Sequence, residues 1–288
     1  MDDIRFVKMT GAGNDFIVID NREGCLPEAG RGERLAAWCR RRLDIGADGV
    51  LLLEPPRSTT THFRMRYYNA DGREAESCGN GARCLARFAY LIGAAPARMA
   101  FDTLAGPYRA EVLEGGDVML HLAPPRRLRQ GLPISIEPLA LERIDAIDTG
   151  VPHAVVFVRG LGEVNVDRWG REIRHHPLFA PDGTNVNFAE PLPDGRIAVR
   201  TFERGVEAET LACGTGAVAV ALLAALKGLA EPPVVIQTSG GPTLIVDFAL
   251  DASEDGPIFT GVRLRGEARL VYEGRLVASG ILLPVATS

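Results

Sequence analysis

The chain has 288 residues, a formal net charge of −5, 46% hydrophobic and 24% charged residues, and five cysteines. This length predicts two domains, or one unusually large one, with sizeable cores, and the acidic balance argues against nucleic acid as a partner, because phosphate binding needs a basic surface. No run approaches the roughly 18 apolar residues that span a bilayer, and "MDDIRFVKM" lacks a signal peptide's basic and apolar regions. The expectation is a cytoplasmic protein, with no membrane partner, whose thiols stay reduced.

In chain order, "TGAGNDFIVID" (10–20) opens the first half with a turn and a strand-like run. It superficially echoes a phosphate-binding glycine loop, but it lacks the third glycine and a following helix. "GERLAAWCRRRL" (32–43) reads as a helix, and its Arg40–Arg42 cluster, like Arg126–Arg127, as a solvated face. "GVLLLE" (49–54), "FRMRYY" (63–68), "YRAEVL" (108–113) and "DVMLHL" (117–122) are β-rich, with turn pairs at 71–72 and 115–116. Between them "GARCLARFAYLIG" (81–93) has helical spacing and a stop signal at Gly93.

The proline-rich "APPRRLRQGLP" (123–133) is the natural linker. "TGVPHAVVFV" (149–158) opens a second half in the manner of the first, followed by strands at 196–202, 234–238, 243–249 and 261–272. "GAVAVALLAALKG" (216–228) is a helix apolar nearly all round, and so a buried one. Thr10 to Thr149 spans 139 positions, Cys78 to Cys213 spans 135, and Glu-Ala-Glu precedes both cysteines, at 74–76 and 207–209. Matched order at matched offset predicts two similar domains related by internal pseudo-symmetry. Each is expected to be α/β (α+β), a mostly antiparallel, barrel-like sheet around a central helix. The expected boundaries are 1–123 plus 267–288, carrying Cys78, and 124–266, carrying Cys213.

Both "S-C78-G-N-G-A" and "A-C213-G-T-G-A" place a cysteine at the start of a helix, before Gly-x-Gly. The glycines leave backbone N–H groups uncovered, and a helix N-terminus favours an anion there. That anion is either the thiolate, whose formation a helix N-terminus promotes, or a substrate carboxylate. Cys25, Cys39 and Cys84 lack this context and read as small buried hydrophobes. No zinc or thioredoxin spacing, Walker motif or dinucleotide fingerprint is present, so the reading requires neither metal nor cofactor.

A single such cysteine would suggest a nucleophile, but neither cysteine has a histidine close to it in sequence. Two equivalent sulfurs suit inversion at carbon. If the halves face each other, one thiolate takes a proton and the opposite thiol delivers another. The alternatives are a related cofactor-free racemase or isomerase acting on another amino acid, and a non-catalytic redox-sensing dithiol protein.

"KMTGAGNDFIVID", "NADG…SCGNGARC", "GTNVNF" and "FERGVEAETLACGTGA" together resemble the diaminopimelate epimerase family over essentially the whole length. The resemblance implies that family's two-domain fold and the pyridoxal-phosphate-independent interconversion of LL- and meso-2,6-diaminopimelate in lysine biosynthesis, by a homodimer. It implies Cys78 and Cys213 as the acid–base pair. It also implies the backbone of Gly79, Asn80, Gly214 and Thr215 at the reacting carboxylate, and Glu203 at the reacting ammonium. Asn14, Asn69, Asn185 and Arg204 would grip the distal end, where amides and a guanidinium fork suit an amino-acid terminus. His153 matches a histidine near the site. Val151 stands where some members have Asn, and Gly49 where some have Gln, which bears on the distal contacts.

Overall fold

A computed structural model describes residues 4–75, 78–136, 141–254 and 256–276. In chain order the elements are β1 (Ile4–Gly11), β2 (Asn14–Asp20), α1 (Arg31–Cys39), β3 (Gly49–Glu54), β4 (Phe63–Asn69), β5 (Glu74–Ala75), α2 (Gly79–Leu91), β6 (Arg98–Thr103) and β7 (Gly106–Val112). There follow β8 (Val118–His121), β9 (Arg126–Ile136), β10 (Leu141–Asp148), β11 (Pro152–Phe157), α3 (Val166–Arg174), β12 (Asn185–Pro191) and β13 (Ile197–Glu203). The last are β14 (Ala208–Thr210), α4 (Gly214–Leu226), β15 (Val234–Thr238), β16 (Thr243–Ser253), β17 (Gly256–Gly266) and β18 (Arg269–Leu276). The chain divides into two compact units, Met1–Val118 with Ala268–Ser288, and Met119–Glu267.

Each unit is sheet-dominated and mixed α/β, and the strand pairings of one repeat in the other. Antiparallel β1–β2, β3–β4, β4–β5 and β6–β7 answer to β10–β11, β12–β13, β13–β14 and β15–β16. Parallel β2–β3 and β4–β6 answer to β11–β12 and β13–β15. A parallel pair needs a crossover. The crossovers contain α1 in the first unit and α3 in the second, and run through α2 and α4 for the later pairs.

In each unit one helix packs against most of the strands: α2 on β1, β2, β3, β4 and β7, and α4 on β10–β13 and β15–β17. Ala217–Ala224 of α4 are all buried, as expected of a helix that is apolar all round and packed inside its own unit. Both helices stop at a left-handed glycine: Gly93 (φ 71°) with Ala94 N–H on Ala89 O, and Gly228 (φ 67°) with Leu229 N–H on Ala224 O. Among the described residues no helix is long and apolar enough to cross a membrane.

Several local expectations change. The segment expected as a linker is largely β9, paired antiparallel with β10 inside the second unit. The run read as one strand at 261–272 is β17 and β18, which belong to different units. The sequence reading also passed over β1, β6, β10, β12 and α3, whose apolar periodicity is short or interrupted by charge. Cys39 and Cys84 are buried as expected, whereas Cys25 is exposed. Its loop is tied by Asn21, whose Oδ1 accepts the Leu26 N–H, and this leaves Cys25 at the surface.

Candidate active site

In the first unit Cys78 is the N-cap of α2, with extended backbone (φ −150°, ψ 108°). Its sulfur accepts the Gly81 N–H at 3.3 Å, and its carbonyl accepts the Ala82 N–H. The N–H groups of Gly79 and Asn80 come before that of Ala82, the first to reach a carbonyl of the helix start. A Cβ built on Gly79 meets nothing within 4 Å, so the helix mouth is open on that side.

Asn80 is buried, and its Nδ2 donates to Asn14 Oδ1 at 2.7 Å, joining α2 to the start of β2. Asn80 Oδ1 in turn accepts from the fully buried Arg83. Asn14 follows a two-residue hairpin turn in which Ala12 and Gly13 both have positive φ and Gly11 faces Asn14. The glycines of "TGAGND" therefore serve this turn. Asn14 Nδ2 donates to Asp48, and Arg41 bridges Asp48 and Asp15. Arg41 thus does more than line a solvated face. Burial alone would raise the Asp15 pKa, but hydrogen bonds and charge from Arg41 and Lys8 outweigh it and hold the carboxyl at about 2.

Asn69 ends β4, exposed and opposite Gly49. A side chain at position 49 would meet Tyr68 O at 2.4 Å and the Tyr67 ring at 2.7 Å, so this backbone has no room for Gln there.

In the second unit Cys213 is the N-cap of α4 and lacks the side-chain cap seen at Cys78. Its sulfur lies 3.5 Å from Thr215 Oγ1. That hydroxyl lies 2.9 Å from Nε2 of His153, which β11 brings to the helix start. Asn187 Nδ2 donates both to Ala154 O and to His153 Nδ1 (3.2 Å), while its Oδ1 accepts from Thr201. An amide nitrogen has no acceptor capacity, so Nδ1 is the accepting nitrogen and the ring proton sits on Nε2, donated to Thr215. The Thr215 hydroxyl hydrogen is then available to Cys213. Burial, aided by the positive charge of Arg204, lowers the His153 pKa to about 3, so the ring is neutral at pH 7.

Asn185 pairs with His153 across the parallel β11–β12 register. Its amide donates to Pro152 O at 3.1 Å and accepts the Arg204 N–H at 2.9 Å, holding Arg204 at the end of β13 beside Glu203. A Cβ on Gly216 would lie 2.3 Å from Asn187 Oδ1, so the glycine admits the amide that orients His153.

The residues expected at the site therefore assemble in two sets. Cys78, Gly79, Asn80 and Asn14 join in one unit, with Asn69 at its strand end. Cys213, Gly214, Thr215, His153, Asn185, Glu203 and Arg204 gather in the other. The sequence reading missed Asp48 and Arg83, which hold Asn14 and Asn80, and Asn187, Thr201 and Thr149, whose Oγ1 donates to Thr215 O. Asn187 had a signal: in "GTNVNF" it lies two residues from Asn185, on the same strand face. Among the described residues no group of three His, Cys, Asp or Glu side chains is placed to hold a metal ion.

A profile of the diaminopimelate epimerase family matches residues 6–127 and 146–256. Diaminopimelate epimerase of Aquifex aeolicus (strain VF5) is 42% identical over 285 residues, covering 95% of this chain and 98% of that protein. The crystal structure of a Bacillus anthracis phenazine biosynthesis protein of the PhzF family superposes with a TM-score of 0.73 at 16% identity, over 96% of this chain and 100% of that one. A probable proline racemase from Agrobacterium radiobacter K84 does so with a TM-score of 0.69 at 18% identity, over 98% and 94%. At these identities the two structures speak to the fold alone, which is the two-domain fold found here. The chain belongs to the diaminopimelate epimerase family.

Proposed function

We propose that this chain interconverts LL- and meso-2,6-diaminopimelate by two-base proton transfer, serving lysine biosynthesis in the cytoplasm as a homodimer. The observation that carries this reading is the repeated helix mouth, with Cys78 and Cys213 each capping the helix of its own unit. Family membership supplies the substrate.

In this reading one sulfur acts as thiolate and takes the α-hydrogen as a proton, so the Cα–H bond breaks and an S–H bond forms. The electron pair left on carbon delocalises into the α-carboxylate. The other sulfur then gives its proton to the opposite face, re-forming Cα–H with inverted configuration. Each turnover leaves the two sulfurs with exchanged protonation, and the reverse reaction restores them. The N–H groups of Gly79, Asn80, Gly214 and Thr215 are positioned at helix starts, where they stabilise the enriched negative charge on the carboxylate. Glu203 meets the reacting ammonium. Asn14, Asn69, Asn185 and Arg204 take the distal amino-acid end, and His153 acts on Cys213 through Thr215 rather than on the substrate.

The test is to incubate LL-diaminopimelate with reduced protein in D₂O and follow the α-carbon by NMR. Deuterium at carbon with formation of the meso isomer is expected, and Cys78→Ala or Cys213→Ala should each abolish it. Absence of exchange with the fresh, reduced protein would overturn the reading. Sedimentation of the purified protein tests the dimer separately, and a monomer at micromolar concentration would refute it.

A further inference from the structure

Each helix-capping cysteine is reached through a very short strand, β5 with two residues and β14 with three. Strands this short have few ladder bonds of their own. In both units the same device reinforces them. Arg66 Nε and Nη2 donate to the two carboxylate oxygens of Glu74 at 2.8 and 2.7 Å. Arg200 Nε and Nη2 donate to those of Glu209 at 2.8 and 2.6 Å. The registers match as well: Glu74 faces Tyr68 and Glu209 faces Phe202, each two residues beyond the arginine. Glu74 and Glu209 both stand four residues before their cysteine.

The two Glu-Ala-Glu runs that looked equivalent in sequence are thus offset. Glu209, the last of its run, corresponds to Glu74, the first of its own, while Glu76 lies outside the described residues. Glu207 instead pairs with Arg174.

What holds each arginine from behind differs between the units. Arg66 also bonds Glu28 and lies 5.2 Å from the Tyr68 ring centroid. Arg200 Nη1 donates to the carbonyls of Leu161 and Val164. The surroundings have diverged while the fork has not, and what the two forks share is a cysteine four residues on. A bidentate guanidinium–carboxylate pair fixes direction as well as distance, which lysine's single ammonium does not.

We propose that the Arg66–Glu74 and Arg200–Glu209 forks are positioning devices for the two sulfurs, each setting where its short strand ends and hence where its cysteine enters the helix mouth. This rests on the reading of Cys78 and Cys213 as acid and base. Neither fork touches substrate.

The test uses Glu74→Gln and Glu209→Gln, with Arg66→Lys and Arg200→Lys as second variants should either amide fail to fold. Alkylation of each cysteine by iodoacetamide is followed against pH by peptide mass mapping, beside Tm, kcat and KM. Glu74→Gln is expected to move the alkylation pH profile of Cys78 and leave that of Cys213 in place, and Glu209→Gln to do the converse. Either should lower kcat about tenfold with KM little changed, the pattern of a displaced catalytic group. Equal movement of both cysteines in step with a lower Tm, or no movement of either with kcat unchanged, overturns the proposal. If the unaltered protein fails to epimerise diaminopimelate, the functional reading falls, while the alkylation comparison still decides the role of the forks.

Discussion

His153 Nε2 lies 2.9 Å from Thr215 Oγ1, although 62 residues separate them in sequence. Because Asn187 occupies Nδ1, the histidine gives its hydrogen to Thr215 and leaves the hydroxyl hydrogen facing Cys213. The second unit thereby substitutes a side-chain relay for the Gly81 N–H that caps Cys78 in the first. The two sulfurs occupy equivalent positions and are held by different groups.

Thr215→Val keeps the branched shape and removes the hydroxyl. Turnover is expected to fall about tenfold, as for a lost hydrogen bond to a charged group. The His153 N–H, left buried without its acceptor, should cost about 1–3 kcal/mol of stability. Thr215→Ser should keep most of both. Steady-state kinetics with urea unfolding checks the pair, and an active Thr215→Val enzyme would remove the relay from the mechanism.

His153 also makes stability depend on pH. Its pKa is lowered to about 3 in the folded state from the ordinary 6.5, so the unfolded chain binds the proton first as pH falls. Stability is therefore fully present above pH 6.5 and is lost progressively as pH drops toward 3. The loss is on the order of 2 kcal/mol between pH 6.5 and 5. Urea unfolding at the two pH values should show it, and His153→Asn should remove most of the difference.

Asp15 acts lower on the scale. Its carboxyl is held at about 2 because Arg41 and Lys8 outweigh burial, so its contribution is present above the ordinary 3.8 and lost as pH falls through 2. Asp15→Asn leaves Lys8 buried with its carboxylate partner gone, at a cost of about 2–3 kcal/mol at pH 7. A Tm equal to that of the unaltered protein would contradict this.

Two glycines separate function from folding. Gly79→Ala places a methyl group in open space at the helix mouth, so the protein should fold with Tm unchanged or slightly raised. Substrate turnover should drop, because the methyl group occupies the approach to the N–H groups. Gly216→Ala drives a methyl group to 2.3 Å from Asn187 Oδ1 and should lower Tm by several degrees. Circular dichroism melts beside activity assays distinguish the two, and the reverse ranking of Tm would refute the account.

The helix mouths were legible in the sequence because everything they need lies within five residues. The cysteine caps, the glycines uncover the N–H groups, and the apolar run continues the helix. The duplication was legible for the same reason, since such local signals recur in order. The β9 strand was not. Its pairing with β10 depends on register, whereas its composition, with three prolines and three arginines between positions 123 and 133, reads as a connector.

The sequence by itself thus determined the paired cysteines, their helical setting and the family. Only the tertiary structure decided which groups support each sulfur. Asn14 and Asn80 are 66 residues apart, His153 and Thr215 are 62 apart, and each pair meets because the beginning of a strand lies at a helix start. The register of β13 and β14 likewise decided that Glu209, rather than Glu207, corresponds to Glu74. Hydrogen bonds reach about 3 Å, so partners distant in the chain become partners only once register and packing are set.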